Sequence, residues 1–410
     1  MRVLIYGLNF YPELIGIGKY TGELAEYLSS RGHEIRVVAA KPYYPSWVID
    51  PQYQRRGYIR KQQPHQTRVT YTPVWVPDSI SPGKRILHLL SFAAASLPAL
   101  FAQLFWKPHI LITVIPTFFT LPVAWIFTKL AGCASWLHIQ DFEIDAMFQL
   151  GMVPGRKIIY PIASKLERFL YCRFDRISTI SGKMSQLLQR KGVPPQKINR
   201  IPNWVDTESI YPKGNQEMSR QQFNFPREKI IALYAGNLGK KQGLELLISA
   251  AGCLKEEDNI IIVIGGDGSE RKEILQQSRS TELIQILPLQ PAEKFNDLLN
   301  AADIHLLPQK AGAADLVMPS KLLGMLASGK PVIATADEDT EIGKTLRQVG
   351  VLVDPGDPAA LAYQLKSLAA DPLRRARLGA DSRKLAVETW SKSKILSGWE
   401  EHLAGLFKRN

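Results

Sequence analysis

The 410-residue sequence predicts an α/β protein with two parallel, doubly wound sheets in tandem. Three observations carry that expectation. Short apolar runs alternate with helical patterns twice over. The runs are apolar throughout, as parallel strands covered on both faces must be, and a glycine-rich loop follows the first run of each set. A composition of 45% apolar and 22% charged residues gives core enough for roughly two to three domains and excludes disorder and fibrous repeats.

In the first half, strands are predicted at Val3–Tyr6, Ile35–Ala39, His109–Ile115, Ser135–Ile139, Ile177–Ile180 and Asn199–Ile201. Helical spacing falls at Tyr20–Ser30, Phe118–Leu130 and Ile158–Phe174. In the second half, strands fall at Ile230–Ala235, Ile260–Ile264, Ile284–Leu287, Ile304–Leu307, Pro331–Thr335 and Val351–Val353. Helices close the chain at Asp357–Ala370, Pro372–Glu388 and Trp390–Phe407, the last with Ile395, Trp399, Leu403 and Leu406 at helical spacing. The polar, poorly periodic stretch Thr207–Arg227 after Pro202–Asp206 reads as a linker, so the expected units are residues 1–206, 207–388 and a terminal segment 389–410. Open sheets of about six strands bind ligands beyond the carboxyl ends of their strands, which predicts a cleft with a nucleotide on one side and an acceptor on the other.

Lys and Arg number 51 against 38 Asp and Glu, and the +13 surplus favours anionic partners. Cys133, Cys172 and Cys253 show neither CxxC pairing nor zinc spacing, and the residues before Gly7 are too few for a secretory signal, so a cytoplasmic protein is expected. From Ile86 to Gln140 the only formal charges are Lys107 and Lys129. Pro98, the nearby alanines, His88 and Gln103 weaken Ile86–Trp106 as a membrane span and leave a buried helix or one lying in the interface. Residues 151–200 hold eleven Lys or Arg against Glu167 and Asp175, and the helix Ile158–Phe174 mixes these cations with Ile162, Leu166 and Phe169. That mixture suits an anionic membrane surface and equally a solvated helix face.

Four strand-end loops carry candidate chemistry. Gly16, Gly18 and Lys19 precede the helix Tyr20–Ser30, where backbone N–H groups meet an anion or acceptor, although a plain turn has the same pattern. The spacing is not GxGxxG and no acidic ribose ligand follows, which disfavours a nicotinamide enzyme. Tyr234-Ala-Gly236-Asn237-Leu-Gly239-Lys240-Lys241-Gln242-Gly243 repeats the device, with Gly236 allowing close backbone approach and Lys240 or Lys241 neutralising a diphosphate. It lacks the Gly-Lys-Ser/Thr ending, and nucleotide hydrolysis loses its support. Gly265-Gly266-Asp267-Gly268 ends a strand at the same edge. Met318-Pro319-Ser320-Lys321 opens a helix in which Ser320 reads as the N-cap and Lys321 adds a full charge to the helix dipole.

In the first half, His138-Ile-Gln140-Asp141 ends a strand, and Asp141 is suited to orient a hydroxyl or to stabilise positive charge developing on a sugar. Glu143 and Asp145 read as solvated helix starts. Asp337-Glu338-Asp339 fits a DxD metal pattern without a second ligand cluster, so neither metal nor other cofactor is expected.

These motifs, together with Gly32-His33-Glu34-Ile35-Arg36-Val37, Ile201-Pro-Asn203-Trp-Val-Asp206, Ala302-Asp303-Ile304 and Met325-Leu-Ala-Ser-Gly329-Lys-Pro331, resemble in order the retaining family 4 glycosyltransferases of group 1. The resemblance covers nearly the whole chain and implies the GT-B fold, two Rossmann-like domains facing a cleft with a C-terminal helix crossing back to the first. Leu307 to Lys321 and His138 to Met147 are similar to the WcaI-like branch of colanic acid and related exopolysaccharide assembly. What the resemblance implies is a metal-independent transfer of a hexosyl group from a nucleoside diphosphate sugar to a polyprenyl-diphosphate-linked saccharide at the inner face of the cytoplasmic membrane. Gly236, Asn237, Lys240, Lys241, Gly266, Ser320, Lys321 and Leu322 would hold the donor, Asp141, Lys321 and Asp315 would serve catalysis, and Gly16, Gly18, Lys19 and His138 the acceptor. One departure stands out: the family's pair of glutamates eight apart falls on Leu316 and Gly324, with Asp315 a neighbour of the first. A sugar-nucleotide epimerase or hydrolase of the same fold is the alternative. A basic nucleic-acid-binding protein would not need two sheets with phosphate loops at matching edges.

Overall fold

The computed structural model describes residues 1–63, 67–79, 81–149, 156–310 and 319–408. The chain divides into two compact units, Met1–Pro202 with Leu396–Asn410, and Asn203–Ile395. These divisions fall a few residues from positions 206 and 388. The reason is a bridge: the Val205 N–H donates to Trp390 O and the Lys392 N–H to Val205 O, both at 2.9 Å, tying the linker to the end of the second unit.

The first unit holds an eight-stranded sheet of β1 (Arg2–Gly7), β2 (Glu34–Ala40), β3 (Ile59–Gln62), β4 (Arg68–Thr72), β5 (Ile110–Ile115), β6 (Ala134–Ile139), β7 (Arg176–Thr179) and β8 (Ile198–Arg200), in the order β3-β4-β2-β1-β5-β6-β7-β8. All neighbours are parallel except β3 and β4. Two strands exceed the expected six. β3 is an edge strand carrying Arg60 and Lys61, a charged pattern with weak apolar period that also protects the edge. β4 buries only Val69, Tyr71 and Thr72. The central strands β1, β5 and β6 are buried on both faces, which accounts for their continuous apolar runs.

The second unit contains β9 (Ile230–Ala235), β10 (Ile260–Gly265), β11 (Ile284–Leu287), β12 (Ile304–Leu307), β13 (Val332–Thr335) and β14 (Val351–Val353), all parallel in the order β11-β10-β9-β12-β13-β14. This is the doubly wound order with its switch point between β9 and β12. The linker 207–227 is not plain coil. It carries the helix Gln216–Gln222, whose Arg220 is buried against Asp303, while Asp303 Oδ2 also accepts from the Ile231 N–H at 2.7 Å.

The terminal helix Lys392–Phe407 enters the first unit from Leu396 onward, burying Leu396, Trp399, Leu403 and Leu406. Leu396, not Ile395, takes the first inward position. Trp399 packs its ring 5.1 Å from those of both Trp136 and His138. Glu400 accepts from His33 and Arg31 at 3.0 and 3.2 Å, so this helix is fastened to the first unit by both apolar and ionic contacts.

The carboxylates after β6 correct a sequence expectation. Glu143 and Asp145 begin the helix Glu143–Gln149, yet both are buried. Asp145 accepts from the Tyr160 hydroxyl at 2.8 Å and pairs with Lys191 at 2.7 Å, and the same ammonium contacts Glu167, itself bonded by the Tyr171 hydroxyl at 2.7 Å. Two acids thus share one buried cation. Replacing Lys191 by Met should cost about 3–5 kcal/mol near neutral pH by stranding both carboxylates. The deficit should shrink in acid, where the carboxylates protonate. Urea midpoints of wild type and variant across pH would measure it.

Candidate functional site

In the second unit, the carboxyl edge of the sheet gathers three of the predicted loops. β9 ends in Gly236 and β10 in Gly265-Gly266, and their backbones touch. The Gly236 N–H donates to Gly265 O at 2.9 Å, and a Cβ on Gly266, whose φ is +138°, would stand 1.9 Å from Gly236 O. Only glycine fits there. Gly236, at φ +155°, makes room of another kind: its Cβ would lie 2.4 Å from Cε of Lys321.

Lys321 therefore lies across the Gly236 loop. Its Nζ donates to the Tyr234 hydroxyl at 2.5 Å and to Gln242 Oε1 at 2.7 Å, and Tyr234 donates onward to Asn237 O at 2.6 Å. Burial lowers the Lys321 ammonium to about 8. Its helix, Ser320–Ala327, starts on Pro319 with no side-chain cap. Ser320 is the first helical residue and not the cap, and Pro319 in the capping position offers the opening N–H groups no side-chain acceptor. A cation with neutral partners beside an uncapped helix start is an anion site in form.

Other donor-site candidates divide. Asn237 and Lys240 are exposed in the same loop. Leu322 is core: its side chain is fully buried and its N–H donates to Pro319 O at 3.0 Å. The Lys241 side chain, Asp315 and Leu316 lie outside the described residues. Gly324 is buried, and a side chain there would begin 3.8 Å from Ile210, Leu299 and Phe295. In the DxD stretch, Glu338 pairs with Arg347.

The first unit offers a cavity of about 200 Å³ at the carboxyl ends of β1 and β6, walled by Gly16, Tyr43, Trp47, Arg85, Asp141 and Glu143 among others. Gly16, at φ +61°, opens the helix Gly16–Ser30, which also lacks a side-chain cap. Gly16 and Asp141 are thus brought together; the other acceptor candidates are not. A Cβ on Gly18 would meet Glu13 at 2.7 Å, so this glycine serves packing. Lys19 pairs with Glu23 at 3.8 Å along its own helix. His138 is buried: the Gln140 amide donates to its Nε2 at 2.9 Å, its Nδ1–H donates to Ser178 Oγ at 2.8 Å, and burial lowers it to about 3. It is a neutral core residue.

Several residues around this cavity were not expected there. Glu13 is buried, accepting from Asn9 Nδ2 and from the N–H groups of Tyr43 and Tyr44 at 2.9–3.1 Å, and burial raises it. Glu143 accepts from the Phe118 N–H at 2.9 Å, and burial raises it to about 7. Trp47 stands at φ +54° beside Tyr43 and His88.

Comparisons with known proteins now bear on the site. Residues 16–204 match the Glycosyl transferase 4-like domain and residues 215–385 the Glycosyl transferases group 1 domain. Across 99% of this chain and 100% of the relative, the sequence is 38% identical to the protein named colanic acid biosynthesis glycosyl transferase WcaI in Escherichia coli (strain K12). Sucrose-phosphate synthase from Thermosynechococcus elongatus superposes with a TM-score of 0.77 at 18% identity, covering 100% of both chains. Anabaena HepE in complex with UDP-glucose does so at 0.70 and 15% identity, covering 99% of this chain and 100% of that one. The two parallel-sheet domains are those of the GT-B fold.

Replacing Gly236 by Ala tests the lysine cradle. The added Cβ should displace Lys321 and weaken binding of a nucleoside diphosphate by about tenfold, the worth of a charge-assisted contact. The accompanying loss of stability, from strain at positive φ, should be about 1–3 kcal/mol. Calorimetric titration and urea unfolding would read the two separately.

Proposed function

The chain belongs to the group 1 glycosyltransferases, and from that premise we propose that it is a retaining, metal-independent hexosyltransferase using a nucleoside diphosphate sugar. The acceptor is a saccharide carried on a polyprenyl diphosphate, and the product belongs to exopolysaccharide assembly of the colanic acid type. The observation that carries the donor reading is Lys321, half-buried at the uncapped helix start and cradled by Tyr234, Gln242 and the Gly236 loop. UDP-glucose in HepE, a protein of the same fold, accords with it.

In this reading the diphosphate sits against Lys321 Nζ and the N–H groups of Ser320 and Lys321. As the bond from the anomeric carbon to the phosphate oxygen breaks, the charge appearing on that oxygen meets a cation and a helix dipole already in position. The acceptor hydroxyl attacks on the same face and passes its proton to the departing phosphate oxygen. Asp141 orients that hydroxyl from the first unit's cavity or faces the oxocarbenium-like sugar, and Asp315 assists. Closure of the domains on the donor would exclude water and favour transfer over hydrolysis. The enzyme works in the cytoplasm, peripheral on the inner face of the membrane that carries its acceptor.

Thermal unfolding with UDP, GDP, TDP, NAD and NADP, each with and without magnesium, tests the class of ligand. A rise in midpoint with one nucleoside diphosphate, independent of magnesium, is expected. A rise with NAD alone, or with none, would overturn the reading. Lys321→Ala should retain the fold and lose about a hundredfold or more in turnover; near-normal turnover would remove Lys321 from the mechanism.

The depressed Lys321 ammonium gives a pH test. A bound diphosphate favours the protonated form, so binding takes up a proton once the free enzyme has lost it. Affinity should be flat below about pH 7 and fall above about pH 8, approaching tenfold per pH unit. In Lys321→Arg that fall should vanish, as isothermal titration at both ends of the range would record.

A further inference from the structure

The helix Pro82–Phe101 and the turn Ala102–Trp106 that continues it are long and apolar enough to cross a membrane, yet one side is locked into the sheet. The Tyr6 hydroxyl is 2.7 Å from Ser96 Oγ, Phe92 stacks on Tyr6 at 5.8 Å, and Arg36 donates to Gln103 at 3.0 Å. A helix so fixed lies along the domain. Its outward side is nevertheless apolar: Leu87, Leu90, Leu97 and Phe105 are 53%, 41%, 36% and 93% exposed. That stripe runs the helix's whole length at helical spacing, where a soluble domain places polar residues.

Neighbouring helices extend it. The crossovers β4 to β5, β5 to β6 and β6 to β7 run in one direction across the sheet, so right-handed connections put all three on one side. Phe101 meets Phe127 at 6.1 Å and Trp125 meets Phe169 at 6.2 Å, packing the helices Leu121–Ala131 and Arg156–Tyr171 side by side with the first. They expose Ile126, Leu130, Ile162, Leu166 and Phe169 among Lys129, Lys165 and Arg168.

Charge brackets the stripe. Lys84 and Arg85 stand at one end and Lys107 at the other. A groove of about 580 Å³ is lined by Trp106, Arg36, Arg68 and the carboxylate of Glu34, and a second of about 420 Å³ shares Arg36 and Arg68 and adds Arg60 and Lys61. Arg36 lies 4.5 Å over the Trp106 ring. Among the described residues, no carboxylate is in ion-pair range of Arg36, Arg60 or Arg68. An apolar stripe bordered by a net-positive cluster of arginines and an aromatic complements a bilayer interface, acyl boundary against the stripe and phosphates against the cations.

We propose that this helical layer is the docking face for a bilayer containing anionic lipid, with Leu87, Leu90, Leu97 and Phe105 inserted and the arginine grooves taking headgroup phosphates. The proposal rests on the peripheral-membrane reading above and assigns the surface responsible. The test is co-sedimentation of the full chain with phosphatidylglycerol–phosphatidylcholine vesicles and with phosphatidylcholine alone, at low salt. Leu90→Glu/Leu97→Glu/Phe105→Ser should bind the mixed vesicles about tenfold more weakly or worse. Arg60→Gln/Arg68→Gln should lose about fivefold per charge on the mixed vesicles only. Leu373→Glu, at an exposed leucine of the second unit, should bind as wild type does. Wild-type unfolding midpoints for all three variants keep the comparison free of misfolding. If wild type binds and the triple variant binds equally, the assigned face is wrong and the membrane reading stands. If wild type ignores every vesicle, both fall.

Discussion

The close approach of the Gly236 and Gly266 backbones is the constraint on which the second unit's site depends. With Gly236 O where a Cβ of Gly266 would be, the ends of β9 and β10 form one surface without side chains. Two consequences follow. A lysine stem can cross that surface, and the helix carrying it can start close to the sheet edge. Among the described residues, no carboxylate pairs with Lys321 in the process. Its bonds to Tyr234 and Gln242 fix the position of the ammonium without neutralising it, leaving its charge available to an anion. A carboxylate partner would have held the side chain equally well and cancelled what the site needs.

The first unit solves the opposite problem. Its interior keeps acids, and it treats them in two ways. Asp145 and Glu167 are compensated by Lys191 and by tyrosine hydroxyls, a closed arrangement with nothing left for a ligand. Glu13 and Glu143 are held by N–H groups, and among the described residues no cation lies in ion-pair range of either, so burial raises both. Glu143, with Asp141, faces the cavity beside Arg85. Next to a cavity of about 200 Å³, Asp141 and a Glu143 carboxyl raised to about 7 by burial form a polar wall for hydroxyl-rich ligands, and the aromatic rings of Tyr43 and Trp47 form the apolar one.

What the sequence made legible follows from range. The strands β5, β6, β9 and β10 are continuous apolar runs because both faces are covered, a property visible without any partner. The glycine loops were equally plain, since positive φ and close approach select one residue type. β3 was hidden because an exposed edge strand has charges where a core strand has valines. The buried state of Glu143 and Asp145 was hidden because their covering residues, Phe118, Tyr160 and Lys191, are remote in sequence. His138 misled for the same reason: a histidine at a strand end has the position of a ligand, and only Ser178, Gln140 and Trp399 show that it is core. Ser320 differed by a single register step, with Pro319 in the capping position.

The missing glutamates fit this picture. At Gly324 the helix faces Ile210, Leu299 and Phe295, and the second residue of the same helix is a lysine. A carboxylate on that helix would stand within the reach of Lys321 and compete with the diphosphate for its charge, more strongly as burial lowers the local dielectric. Where Lys321 supplies the cation, leaving carboxylates off the same helix keeps that cation for the anion.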